Sequence, residues 1–159
     1  MIYNNILEAV GHTPMVRLNH MAEPDSAQIL VKFEAVNVGG SIKTRTALNM
    51  IEAAEKEGLL NKDSIIVEPT SGNQGIGLAL VGAVKGYRTI IVMPDSVSEE
   101  RRKLVRHYGA EVKLIHDAGD IGACIEECLQ TALNMQKKNP RVFVPQQFAN
   151  MNNTLAHKN

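Results

Sequence analysis

The stretch Glu68-Pro69-Thr70-Ser71-Gly72-Asn73-Gln74-Gly75-Ile76-Gly77 concentrates the residue types that could do chemistry. The apolar run Ser64-Ile65-Ile66-Val67 leads into it, and Ile76, Ala79, Leu80, Ala83 and Val84 leave it on one face at helical spacing. It therefore reads as the turn from a buried strand into a helix N-terminus. The first amides of a helix lack intrahelical acceptors, and the helix dipole puts positive potential there. Thr70, Ser71 and Asn73 add side-chain donors and acceptors, while Gly72 and Gly75 let the backbone approach a ligand closely. That is a cradle for a small anion. The bland alternative is a turn that only makes the bend between strand and helix.

A second group is Gly39-Gly40-Ser41-Ile42-Lys43. Ser41 is a natural N-cap, which puts Lys43 in the first turn of its helix. The positive helix end opposes an ammonium group, and with burial it lowers the amine's pKa and frees a nucleophile. Arg45 adds positive charge nearby. The alternative is a lysine that snorkels to solvent. Cys124 and Cys128, at i and i+4, share a helix face with Ile121, Ile125, Leu129 and Ala132 and read as small apolar core residues. No His, Asp or Glu pattern around them completes a zinc site, and no metal is expected.

The elements that position these groups alternate. Met15–Leu18 follows the turn Gly11-His12-Thr13-Pro14 as a short strand, and Ile29–Phe33 is a second, with the turn Pro24-Asp25-Ser26 between them. A helix opens at Gly39-Gly40-Ser41, with Ala47, Met50, Ile51 and Ala54 on its apolar face and Gly58 at C′. A strand at 64–68 precedes a helix at 74–85 stopped by Gly86, and Thr89–Met93 is a strand ended by Pro94. Ser96 and Glu99 suit a capping box for the helix that carries Leu104, Val105 and Tyr108 and stops at Gly109. Glu111–Ile115 is a strand, Asp120 an N-cap for a helix to about Lys137, and Arg141–Val144 the last strand. The tail from Gln146 is polar and shows no periodicity. This rhythm means βαβ units: an α/β fold with a parallel sheet of four to five strands, flanked by helices, over residues 39–145.

Composition narrows the classes. Seventeen basic and seventeen acidic residues cancel, without runs of like charge, which argues against a nucleic-acid partner and an anionic-membrane anchor. Neither a signal peptide nor an apolar run of membrane-spanning length is apparent, so a cytoplasmic location is expected.

Gly39-Gly40-Ser41-Ile42-Lys43 followed twenty-five residues later by Glu68-Pro69-Thr70-Ser71-Gly72-Asn73 resembles the cysteine synthase (O-acetylserine sulfhydrylase) family, relatives of cystathionine β-synthase among pyridoxal-phosphate (PLP) enzymes of fold type II. The resemblance continues through Gly11-His12-Thr13-Pro14, Met93-Pro94, Glu100–Leu104, Tyr108-Gly109-Ala110 and Gln146-Gln147-Phe148, and covers nearly the whole chain but only the family's N-terminal half. It implies the smaller domain of the tryptophan synthase β-like fold at 39–145, with pieces of the larger domain at 1–38 and 146–159. It implies PLP as cofactor, joined to Lys43 as a Schiff base, with Asn73 on the ring hydroxyl. Thr70, Ser71, Gly72 and Asn73, with Gln147 across the cleft, would hold the substrate's α-carboxylate. The implied reaction is β-replacement or β-elimination on an O-activated serine or a cysteine-like amino acid.

The chain departs from the family at Val38, where a proline is usual, at Thr44, and at Gln74, where a threonine is usual. Gln74 is expected to face the cleft and bias the choice of nucleophile. The family's phosphate-binding loop falls outside the sequence. A complementary C-terminal half or a homo-oligomer is the expected partner, since Val16, Leu18, Ile29, Val31 and Phe33 need covering. The rival reading is a catalytically inactive, truncated homologue that acts as a binding or interaction domain. A dinucleotide-binding domain fits the architecture, but glycines at 72, 75 and 77 do not make the G-x-G-x-x-G fingerprint. A nucleophilic hydrolase lacks its G-x-S-x-G elbow around Ser71.

Overall fold

The computed structural model describes residues 2–20, 23 and 25–158. Two small strands come first, β1 (Met15–Arg17) and β2 (Leu30–Lys32), paired antiparallel with Val16 opposite Val31. Of the turn expected between them, Pro24 lies outside the described residues, and the Ser26 amide donates to the Glu23 carbonyl at 3.0 Å. After α1 (Lys43–Lys56) the chain alternates through β3 (Ile65–Pro69), α2 (Asn73–Lys85), β4 (Arg88–Pro94), α3 (Glu99–His107), β5 (Glu111–Ile115), α4 (Ile121–Lys138) and β6 (Val142–Phe143). A short helix, α5 (Met151–Leu155), follows.

The four later strands make one parallel sheet in the order β5-β4-β3-β6. β3 and β4 are buried on both faces, which is why they read as continuous apolar runs rather than alternating ones. Alternate residues still part between two cores. Ile66, Ile91 and Met93 pack with α1, α2 and Val105 of α3, whereas Ile65, Val67, Ile90 and Val92 pack with Cys124, Cys128 and Ala132 of α4. The chain thus winds outward from β3 to β5 with helices on one face. It then returns through α4 on the other face to place β6 beside β3. Strand order reverses between β3 and β6, and the crevice beyond the carboxyl ends of strands at such a point is where α/β sheets bind ligands.

The two cysteines are core residues as their spacing suggested, and burial pushes the Cys128 thiol up to about 12. Gly58 and Gly86 stop α1 and α2 at positive φ, and the Asp120 carboxylate caps α4 by accepting from the Ala123 amide at 3.1 Å. Two expectations need correction. The N-cap of α3 is Ser98, because Ser96 turns its hydroxyl away to donate to Asp117 at 2.6 Å. The tail is not irregular: Asn150 caps α5, and Asn49 of α1 donates to the Asn152 carbonyl at 2.7 Å. One and a half turns without an apolar stripe give no periodicity to read.

Residues outside the sheet are unevenly anchored. Leu7, in a 3-10 turn at Ile6–Ala9 capped by Asn5, is buried in the α1–α2 core. By contrast Met15, Val16, Leu30, Val31 and Phe33 of the β1–β2 hairpin are exposed, as are Ile42, Met151 and, at 91%, Phe148.

Gly77 of α2 lies directly against α1, where an added Cβ would lie 2.9 Å from the Lys43 carbonyl oxygen and 3.1 Å from Ala47 Cβ. Backbone cannot yield there as a flexible side chain would. Gly77→Ala should cost about 1–3 kcal/mol by forcing the helices apart, read as a lower urea midpoint with unchanged slope.

Candidate functional site

Both loops at the switch point carry residues singled out by the sequence. After β3 the chain bends at Thr70, whose amide still donates to the Val92 carbonyl at 3.0 Å and whose hydroxyl accepts from the Gly72 amide at 3.3 Å. Asn73 then opens α2 and is exposed, and the Gly75 amide closes the first turn on the Gly72 carbonyl at 3.1 Å. After β6 the chain turns at Gln146 and Gln147. Gln147 is 7% exposed and lines one cavity together with Pro69, Thr70, Ser71 and Phe148. The structure therefore brings Thr70, Ser71 and Gln147 together across the crevice.

The two glycines of the turn differ in role. Nothing lies within 4 Å of a Cβ built on Gly72, so the fold itself leaves that space open. At Gly75 a Cβ would come within 2.9 Å of Thr70 Cγ2 and 3.0 Å of Ile91 Cγ2. Gly75 serves the packing of α2 on the sheet, and only Gly72 keeps room for a close approach.

Lys43 is not part of the lining of that cavity. It begins α1, half-buried, with its amide donating to the Ser41 hydroxyl at 3.2 Å. Its backbone is linked to the first turn of α2 through one side chain: Thr46 Oγ1 lies 2.9 Å from the Lys43 carbonyl oxygen and 2.7 Å from Gln74 Oε1. A hydroxyl has one proton, so Thr46 cannot donate to both. The Lys43 carbonyl oxygen and Gln74 Oε1 therefore share that one donor across the α1–α2 interface. Gln74, 2% exposed, is thus held beneath α1 and does not face the cleft, contrary to expectation. Its residue type acts on how α2 meets α1, because the side chain of the second residue of α2 turns inward. Gln74 Nε2 and Thr44 Oγ1 are the buried side-chain polar atoms without a partner among the described residues.

The charge near Lys43 is also not what the sequence suggested. Arg45 points away to the N-terminal segment, with Nε and Nη2 3.0 and 2.8 Å from the two Glu34 carboxylate oxygens. Nη2 also donates to the Gly11 carbonyl at 2.7 Å. These hydrogen bonds hold the Glu34 carboxyl below the usual carboxylate range, against the opposing effect of its burial. Asn37 completes the junction: its oxygen accepts from the Gly11 and Val38 amides and its NH2 donates to the Ser41 carbonyl at 3.0 Å. The loop that delivers Lys43 is therefore pinned to residues 11–13 and 34.

One residue of the motif received no role from the sequence. Glu68 closes the otherwise apolar β3 and is fully buried. Burial pushes its carboxyl up to about 7, although the backbone amides of Gln147 and Gln146 donate to it and pull the other way. A charged residue ending a buried strand was the available signal.

A parallel α/β sheet with polar loops on either side of its switch point has the architecture in which small ligands bind at the carboxyl ends of the strands. The family model described as pyridoxal-phosphate dependent enzyme matches residues 6–159, and the chain belongs to that family. It is 50% identical over 157 residues to a cysteine synthase of Flavobacterium sp., covering 99% of this chain and 50% of that protein. Among solved structures, a hydrogen sulfide-producing enzyme from Fusobacterium nucleatum is 46% identical with a TM-score of 0.88, covering 99% of this chain and 50% of that one. An O-ureido-L-serine synthase is 43% identical with the same TM-score, over 99% of this chain and 48% of its own. The chain spans about half the length of these relatives. Among the described residues no helix is long and apolar enough to cross a membrane.

Removing Arg45 leaves Glu34 part-buried without its fork of donors. Arg45→Met is expected to lower stability by about 2 kcal/mol, less than a fully buried pair would lose because both side chains retain some solvent. Since the Glu34 pKa is depressed on folding, the pair's contribution is present above the ordinary value of 4.5 and lost as pH falls below it. Urea melts of both proteins at neutral and acid pH should converge at the acid end.

Proposed function

We propose that this chain provides the N-terminal half of a PLP-dependent enzyme of the cysteine synthase kind, carrying out β-replacement or β-elimination on an O-activated serine. The observation that carries the reading is the meeting of Thr70, Ser71 and Gln147 at the switch point, with Lys43 packed against the start of the helix that follows Ser71. The residues present fit PLP at its aldehyde and ring: a half-buried lysine begins one helix, an exposed asparagine begins the next, and the space over Gly72 is open. The Lys43 amine would hold the cofactor's aldehyde carbon and later carry the substrate's α-proton. The Asn73 amide would hydrogen-bond the ring hydroxyl. Thr70, Ser71, Gly72, Asn73 and Gln147 would seat the α-carboxylate, with the N-terminal amides of α2 supplying positive potential. Bound PLP supplies an electron sink, which lets a leaving group depart from the β-carbon. Contacts to the cofactor phosphate are assigned to the part of the relatives that this chain does not span.

In this reading residues 39–145 are the smaller domain, while residues 1–38 and 146–159 belong with the larger one. The exposed hairpin and Phe148 then mark the face that meets a complementary C-terminal half or, without it, a second copy. The cytoplasm is the compartment proposed.

Mixing the purified chain with PLP and reducing with borohydride should place a stoichiometric modification on Lys43, located by mass spectrometry. Lys43→Ala should lose it. Asn73→Ala should weaken cofactor retention about tenfold, the worth of one hydrogen bond. Scattered labelling of surface lysines would overturn the reading. Light scattering should show self-association that a supplied C-terminal half reverses; a monodisperse monomer would count against the proposed face.

A further inference from the structure

The β3–β6 ladder ends early. Its pairs are Ile65 with Val142 and Ile66 with Phe143, so the two strands share no backbone register at the level of Glu68. At a switch point the neighbouring loops must part, and backbone pairing cannot hold the returning chain in place. Here a side chain takes over that task. Glu68 Oε2 accepts from the Gln146 amide at 2.8 Å and Oε1 accepts from the Gln147 amide at 2.9 Å. Both carboxylate oxygens are used on consecutive amides, as a ladder would use a pair of carbonyls.

The turn that is held is a strained one. Gln146, at φ 52°, is the one non-glycine residue in the left-handed region among the described residues. An L-residue persists there only when its surroundings over-determine it. Beyond the turn the Gln146 carbonyl accepts from the Ala149 and Asn150 amides, and the Gln147 carbonyl from the Asn153 side chain at 2.7 Å. Those bonds tie the turn to α5, but among the described residues only Glu68 ties it to the sheet through side-chain bonds.

We propose that Glu68 is a positioning residue: its carboxylate clamps the Gln146–Gln147 turn to the sheet and so sets where Gln147 stands against Thr70 and Ser71. The consequence for substrate binding rests on the reading of Gln147 given above; the clamp itself does not. Protonation leaves the carboxyl one good acceptor oxygen instead of two, so at least one of the two amide bonds is lost. Burial places that event near neutral pH. The elements packed on β3 carry few groups that could perturb it. Glu126 of α4 lines a cavity with Glu68, with Glu127 and the buried thiols of Cys124 and Cys128 on the same helix. Arg88 of β4 lies level with Ile65 and is paired with Glu111, and Lys85 of α2 is paired with Glu55 at the far end of its helix. β6 carries no titratable group.

The test follows the amide resonances of Gln146 and Gln147 in the 15N-labelled full chain between about pH 5 and about pH 9. Both should move together with one midpoint near 7, the value to which burial brings Glu68, and should hold still in Glu68→Gln. Amides that ignore pH, or that titrate equally in Glu68→Gln, would overturn the clamp. If Glu68→Gln does not fold, the wild-type titration decides alone, with Glu68→Asp as the second variant. Aspartate keeps the charge but is one methylene short, so one amide should lose its response. Titration with L-serine forms a separate arm. Weaker binding below the midpoint, about tenfold, ties the clamp to the site. Absence of serine binding at any pH, with the amides still titrating, supports the clamp and sinks the assignment of Gln147 to the carboxylate.

Discussion

The arrangement of the site depends on how closely α1 and α2 approach. Gly77 sits against the Lys43 carbonyl, and no side chain fits between them. With that spacing the N-termini of two helices arrive at the same edge of the sheet, bringing a lysine and an asparagine within one structural neighbourhood. The same approach buries Gln74 and Thr46 between the helices, where one shared hydroxyl lies between the Lys43 carbonyl and the Gln74 side-chain oxygen. A wider interface would admit water there and leave the two helix starts to move separately.

Polar side chains hold the places that regular backbone pairing cannot. Arg45, Glu34 and Asn37 fasten the loop before α1 to the N-terminal segment, and Glu68 fastens the turn after β6 to the central strand. Each anchor is largely buried, and each serves a loop that ends on a residue proposed to act in the site: Lys43 in one case, Gln147 in the other. The apolar cores on the two faces of the sheet account for the scaffold. The polar anchors account for the geometry of what the scaffold presents. The apolar residues of the β1–β2 hairpin and, almost bare, Phe148 remain uncovered.

Much of this was legible one residue at a time. Helical spacing of Ala47, Met50, Ile51 and Ala54 identified the buried face of α1, and all four are buried. The alternation of strands with helices identified a parallel sheet, and β3 and β4 are buried on both faces as such a sheet requires. Glycine at 58, 86 and 109 marked helix ends by the one conformation other residues avoid. Gln74 misled because its neighbour Asn73 is exposed, whereas helical geometry rotates the next residue by about a hundred degrees, into α1. Ser96 misled because a nearby carboxylate from the next loop competed for its hydroxyl. The capping-box pattern is local, and Asp117 is not.

What the sequence determined by itself was the order of elements, the turn chemistry and the polar loop after β3, since these follow from propensity and period within a few residues. The tertiary structure alone decided that Arg45 is neutralised by Glu34, that Gln74 lies beneath Lys43, and that Glu68 reaches a turn seventy-eight residues away. These are contacts between segments whose proximity depends on strand order. Strand order is set by which buried faces pack together, an outcome that no local pattern encodes.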